Sequence, residues 1–309
     1  MAARAWQAGA MRLPLSCHIH GTSVCAMEGM LVVQPARARA GDRAIARFLD
    51  VVTRDAMLRA RLRGGEPMVQ RVLAAPGGPP DPGLLYRLVE EAAALPAEPV
   101  VLDVGCGVGA MIAEIATRRG GTWTGLTFSP LQAERARSVA QSRGLVGAVA
   151  VHLCAPDEPP SQLFDSVLAV EALLHCRNPG RVMATLARVL RPGGRLVLVE
   201  NMVEADAATR RAISRQLRAP GLAPEALWRD RLAKAGLTLL EARDLSPLVP
   251  ERSIAAIERL ANRLGAARRL LPIGDLRRAL DARLGALAME RLLREGRGRY
   301  GMLTATRSV

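Results

Sequence analysis

The run Val100-Val101-Leu102-Asp103-Val104-Gly105-Cys106-Gly107-Val108-Gly109-Ala110 constrains this chain more than any other. Its first five residues form a short apolar stretch, the mark of a strand buried on both faces in a helix-covered sheet. Three alternating glycines follow, and the chain passes directly into a segment of helical periodicity at 111–119. Gly105 and Gly107 permit backbone angles closed to other residues and let a ligand approach the main chain. On these residues alone the ligand stays open. Gly105-x-Gly107-x-x-Ala110 also satisfies the dinucleotide fingerprint, and a purely structural turn is a third reading.

The rhythm downstream settles the fold class. Strands are predicted at 100–104, 123–127, 149–153, 166–170 and 195–200, with helices at 111–119, 130–143 and 181–190 between them. Such alternation specifies a parallel sheet covered by helices on both faces. Helices are predicted next at 205–217 and 224–235, then a strand at 237–242. A long Leu/Arg amphipathic stretch at 251–294 is broken at Pro272, and an extended run at 300–306 is read as one more sheet member.

Upstream, residues 1–75 are expected to form a poorly ordered or partly helical extension. An arginine-rich, acid-poor start resembles a transit peptide, but no secretory core or cleavage site accompanies it, so an extension is the favoured reading. Residues 43–62 have helical spacing. Residues 76–83, rich in Pro and Gly, are read as a linker that continues neither helix nor strand.

Composition narrows the function classes. The net charge is +14, yet Lys234 is the only lysine, and the arginines are scattered among acids. The chain has 3 Trp, 2 Tyr and 3 Phe, none of them interleaved with a basic run as stacking on RNA would require. Nucleic acid is therefore a disfavoured partner. No apolar run is long enough for a membrane span. The 5 cysteines show no metal-ligand spacing, so no metal is expected and reduced thiols of a cytoplasmic protein are the reading.

Three features separate the readings of the glycine loop. Asp103, two residues before the glycines, suits the ammonium of an amino acid and would repel a pyrophosphate. No acid ends the second strand, where a nicotinamide enzyme holds its ribose. The turn Arg191-Pro192-Gly193-Gly194 leads into the fifth strand, as it does in methyltransferases. From residue 100 to about 199 the chain resembles class I S-adenosylmethionine-dependent methyltransferases of the sterol, tocopherol and cyclopropane-synthase-like branch, which includes O-methyltransferases of antibiotic pathways. The second block that carries the resemblance is Gly125-Leu126-Thr127-Phe128-Ser129-Pro130-Leu131-Gln132, where Thr-x-Ser-x-x-Gln replaces the usual ribose-binding acid.

The resemblance implies an α/β, Rossmann-like, seven-stranded, mostly parallel sheet with an antiparallel last strand and a helical insertion before it. The implied units are a core at 84–246, a lid at 247–297 and the last strand at 298–309. It implies S-adenosylmethionine as cofactor, held by Asp103, Gly105, Cys106, Gly107 and Gly109, by Thr127, Phe128, Ser129 and Gln132, and by Glu171. Ser129 before Pro130 is also good helix-cap chemistry. The usual adenine-binding acid is missing after the third strand, so backbone at Leu153, Cys154 and Ala155, or a displaced Asp157, is expected to substitute. His175 is the expected general base, because imidazole can accept a hydroxyl proton near neutral pH. Glu200 is expected to orient that imidazole. The glutamate that cyclopropane synthases place before this histidine is Leu174 here, which argues against carbocation chemistry on lipid alkenes. The leucines of 251–294 are expected either to roof a pocket for a small, largely apolar acceptor or to pack against the sheet or a second subunit, making a homodimer. An RNA methyltransferase, a nicotinamide oxidoreductase and a non-catalytic protein on this fold are the alternatives.

Overall fold

A computed structural model describes residues 24–27, 30–33, 40–271 and 274–308. The arginine-rich start, the Arg-Ala run before residue 40 and the break at Pro272 lie outside the described residues. In chain order the elements are β1 (Val24–Met27), β2 (Met30–Val33), α1 (Ala40–Arg63), β3 (Leu73–Ala74), β4 (Pro80–Asp81), α2 (Leu84–Ala93), β5 (Val100–Val104), α3 (Ala110–Arg119), β6 (Thr122–Thr127) and α4 (Pro130–Ser142). There follow β7 (Val149–Leu153), β8 (Phe164–Val170), α5 (Pro179–Val189), β9 (Leu190–Val203), α6 (Ala207–Leu217), α7 (Glu225–Lys234), β10 (Leu237–Asp244), α8 (Ile254–Leu270), α9 (Asp275–Arg294) and β11 (Gly298–Arg307).

The main sheet has seven strands in the order β10-β11-β9-β8-β5-β6-β7. β5 pairs in parallel with β6 and β8, β6 with β7, and β8 with β9. β11 runs antiparallel to both β9 and β10. This is the mostly parallel sheet with a reversed last strand that the sequence predicts. Side chains alternate across it with the period of two that pleating demands. Val101, Val197 and Val199 pack into one core, while Leu102, Val104, Leu196 and Leu198 pack into another on the opposite face. Both cores are covered by helices, which is why these strands read as continuous apolar runs.

Two local expectations are corrected. The linker at 76–83 does contain sheet: Leu73 and Ala74 pair with Asp81 and Pro80 in a small hairpin closed by the turn after Ala75. The turn at 191–194 does not separate helix from strand. β9 already pairs Leu190 with Phe164 and resumes with Arg195 against Ser166, so these four residues form a bulge within the strand. Residues 40–74 also belong with the core. Ile45, Phe48, Val51 and Ala56 of α1 are buried, and Thr53 accepts a hydrogen bond from Gln132 of α4 at 3.1 Å.

The strand order reverses at β5: the chain moves outward to β6 and β7, then returns to β8 on the other side. Loops after β5 and β8 therefore diverge, and a crevice opens at the carboxyl edge of the sheet. Gly109, at φ +78°, begins α3 beside it, and a Cβ there would stand 2.8 Å from the Ala136 Cβ of α4. Gly109→Ala combines a left-handed backbone with overpacking, and is expected to cost about 2–4 kcal/mol. Urea unfolding with an unchanged slope and a lowered midpoint checks this.

Candidate functional site

A cavity of about 390 Å³ fills that crevice. Its floor is made by residues at the carboxyl ends of four adjacent strands: Gly105 and Gly107 after β5, Thr127 and Phe128 at β6, Glu171 and Ala172 at β8, and Asn201 on β9. Its roof comes from both flanks of the core. Phe48, Leu49 and Val52 of α1, the strap Met68-Val69-Gln70-Arg71, and Ala279, Ala282, Ala286 and Met289 of α9 close over the floor.

The glycine turn is tightly held. Gly105 and Gly107 have φ of +77° and +56°, and the N–H groups of Gly105 and Cys106 both donate to the Leu126 carbonyl at 2.8 and 2.9 Å. A Cβ on Gly105 would lie 2.5 Å from that of Ala172, and one on Gly107 would lie 2.8 Å from Val69 Cγ2. The turn is thus pinched between the loop after β8 and the strap, and only glycine fits at either position.

Of the residues singled out in the sequence, Gly105, Gly107, Thr127, Phe128, Gln132, Glu171 and His175 line the cavity. Asp103 does not; it stops two residues short of the wall and is 1 % exposed. Among the described residues neither carboxylate oxygen has a hydrogen-bond partner, and burial pushes its pKa up to about 7. Cys106 and Gly109 also lie off the wall. The Cys106 side chain is buried against Gly125, and Gly109 packs on α4. Ser129 is fully buried and committed elsewhere: its Oγ accepts the Gln132 N–H as the cap of α4 and donates to Asp50 of α1. Thr127 Oγ1 donates to Gln132 Oε1 at 2.8 Å, so the Thr-Ser-Gln block forms one network tied to α1. Leu153, Cys154 and Ala155 are outside the lining; Pro156 takes that place. Asp157 lies 3.7 Å from Arg181.

His175 ends a single turn of 3₁₀ helix, Leu173–His175. Its Nδ1 is 3.0 Å from the Arg218 carbonyl. A carbonyl can only accept, so Nδ1 carries the proton and Nε2 keeps a free lone pair. Burial lowers its pKa from the usual 6.5, partly opposed by that hydrogen bond. The neutral imidazole is therefore the ground state near pH 7. Glu200 does not orient this ring, contrary to the sequence expectation. Its Oε1 instead accepts the N–H groups of Ala172, Leu173 and Leu174 at 3.1, 2.7 and 3.1 Å. Those three donors open a helical turn and have no partners within it, so the carboxylate fixes the backbone that carries the histidine.

Of the two expectations for the leucines of 251–294, burial by packing describes three of those on α9. α9 turns Ala279, Ala282 and Ala286 to the cavity, while Leu280, Leu287 and Leu292 are buried. Sequence reasoning missed Arg71 of the strap and Asn201 of the floor, which line the cavity with Glu171, and Tyr300, which bonds Glu171 from behind the lining. Glu171, at φ +52°, accepts the Arg71 N–H at 3.1 Å and the Tyr300 hydroxyl at 2.8 Å. Nothing local marks these residues, because they meet only through the sheet order.

Residues 102–198 match the family model described as a methyltransferase domain. Methyltransferase GfsG of Streptomyces halstedii is 38% identical over 157 residues, 47% of this chain and 55% of that protein. The 27-O-demethylrifamycin SV methyltransferase of Amycolatopsis mediterranei is 32% identical over 166 residues, 52% of this chain and 61% of that one. The chain thus spans little more than half the length of these curated relatives. Among solved structures, the [4+2]-cyclase SpnF is similar with a TM-score of 0.68 and 24% identity, covering 89% of this chain and 98% of its own. The geranyl diphosphate C-methyltransferase of Streptomyces coelicolor A3(2) is similar with a TM-score of 0.63 and 17% identity, covering 88% of this chain and 100% of its own. At these identities the likeness to solved structures speaks for the fold, which is the methyltransferase Rossmann-like one.

Asp103 generates a testable asymmetry. Its folded pKa of about 7 exceeds the unfolded value of 3.8, so the native state holds a proton that the unfolded chain has released between these values. Its contribution to stability is full below pH 3.8 and lost as pH rises through 7. Asp103→Asn is expected to melt above the unaltered protein at pH 8, by a difference worth roughly 2–4 kcal/mol. The gap should close near pH 4. Thermal melts across this range check it, and a pH-independent difference contradicts the assignment.

Proposed function

We propose that this chain, which carries a methyltransferase domain on the seven-stranded fold, transfers a methyl group from S-adenosylmethionine to a small, largely apolar acceptor. The observation that carries the reading is the glycine turn with its orphaned carboxylate. Gly105 and Gly107 leave a cradle that any Cβ would fill, and Asp103 behind it, whose oxygens have no partner among the described residues, would be drawn into its ionised form by the ammonium of the amino-acid moiety and would then supply negative potential to it. A pyrophosphate at this turn would meet the same potential as a penalty. These residues fit the cofactor, with Thr127, Phe128 and Gln132 on the adenosine side.

When bound, the cofactor supplies an electrophilic methyl group on a sulfonium sulfur. The protein's tasks are to align the acceptor, exclude water and remove a proton. The alanine face of α9 and the apolar face of α1 exclude water and bound an apolar acceptor. His175, with its proton fixed on Nδ1, offers Nε2 to a hydroxyl or enol. That supports O-methylation, or C-methylation at an enolisable carbon. Scattered arginines such as Arg118, Arg191, Arg252 and Arg291 are paired with carboxylates, which supports a small molecule over a nucleic acid.

Calorimetric titration with S-adenosylhomocysteine tests the reading. Micromolar binding is expected, with none for NADH, and Gly105→Arg should abolish it. Absence of heat with S-adenosylhomocysteine would overturn the proposal. For the base, the imidazole of His175 should titrate below pH 6.5, since burial disfavours its cation. Turnover should then be flat above that midpoint and fall as pH drops through it. Imidazole NMR, with the resonance assigned through His175→Ala, reads the midpoint. A value above 6.5 removes His175 from the role.

A further inference from the structure

Three arginines line the cavity: Arg59, Arg71 and Arg283. Two of them share one acid, since Arg59 and Arg283 both pair with Asp55 of α1. Arg71 differs. Among the described residues no carboxylate oxygen stands within ion-pair distance of its guanidinium, and its buried Nε has no partner. Its other contacts position the group without neutralising it. One terminal nitrogen donates to the neutral Asn201 Oδ1 at 3.1 Å, and the guanidinium carbon lies 5.2 Å from the centre of the Tyr300 ring. The strap is fixed beneath it by the bond from the Arg71 N–H to Glu171. The Gln70 amide beside it is also buried with an unpartnered nitrogen.

The place of the guanidinium within the cavity identifies its client. Asn201 lies on β9 and Tyr300 on β11, whereas the glycine turn follows β5, and the order is β11-β9-β8-β5. At about 4.8 Å per strand, β9 lies roughly 10 Å from β5. The cofactor cradle and the unpaired cation therefore occupy different ends of the floor. Leu222, which also lines the cavity, is held at this same end, since its neighbour Ala223 bridges to Met202 of β9.

Resting on the methyl-transfer reading above, we propose that Arg71 anchors the acceptor, and that the acceptor carries an anionic oxygen, a carboxylate or an enolate-like group, beside the hydroxyl presented to His175. A planar guanidinium without a carboxylate partner among the described residues matches such an oxygen pair in a way that a lysine does not. The acceptor is then an apolar skeleton with one acidic end, and the remaining cavity surface serves the skeleton.

The test uses two fluorescent probes that differ only in the anionic group, 1-hydroxy-2-naphthoate and 1-naphthol, titrated into the full chain saturated with S-adenosylhomocysteine. The unaltered protein should prefer the naphthoate by about tenfold or more, the scale of a hydrogen-bonded charge. Arg71→Gln should reduce that preference to about twofold or less while leaving the affinity for S-adenosylhomocysteine unchanged, which also reports that the variant is folded. Arg71→Lys should keep part of the preference. Equal affinity for the two probes in the unaltered protein, including no binding of either, overturns the proposal. So does a fall in S-adenosylhomocysteine affinity in Arg71→Gln, which would assign the cation to the cofactor's own carboxylate. Failure of the unaltered protein to bind S-adenosylhomocysteine at all would instead strike the methyl-transfer reading.

Discussion

One carboxylate organises the floor of the cavity. Glu200 projects from β9, is fully buried, and accepts three consecutive backbone N–H groups from the turn after β8. Each of these hydrogen bonds relieves a donor that the turn cannot satisfy internally. Burial drives the Glu200 pKa well upward, and among the described residues its second oxygen has no partner. The turn so fixed sets two positions at once. Ala172 is brought against Gly105 closely enough to exclude any Cβ there, and His175 is delivered to the cavity wall with its ring locked on the Arg218 carbonyl. The cradle on one side and the imidazole on the other share a single electrostatic support.

Legibility in the sequence follows the range of the interactions. The central strands were readable because each is a short apolar run bounded by turn residues, and burial on both faces writes itself into consecutive positions, whereas β10 at the edge is mostly exposed. The glycine cradle was readable because its determinants are contiguous. The bulge at 191–194 was read as a helix stop, since Pro-Gly-Gly is the same punctuation in both settings and only pairing distinguishes them. Glu200 and His175 were recognised as neighbours, but the contact runs through the main chain, which no side-chain pattern reports.

The other half of the cavity was illegible for the converse reason. Asp55 meets Arg283 across 228 residues, Tyr300 meets Glu171 across 129, and Arg71 meets Asn201 across 130. No local periodicity encodes such meetings. The leucines of 251–294 drew attention by their number, yet an amphipathic helix also has a second, quieter face. Here that face, made of alanines, is the one turned inward to the cavity.

The roof has a consequence for how such proteins diversify. Its pieces, α1, the strap and α9, flank the segment that matches the methyltransferase family, residues 102–198. They rest on the sheet edge mainly through side chains and contribute no strand to its seven. A lineage can therefore remodel the inward faces of these flanks, trading one guest for another, provided that Asp50, Thr53 and Val69 keep their holds on the floor.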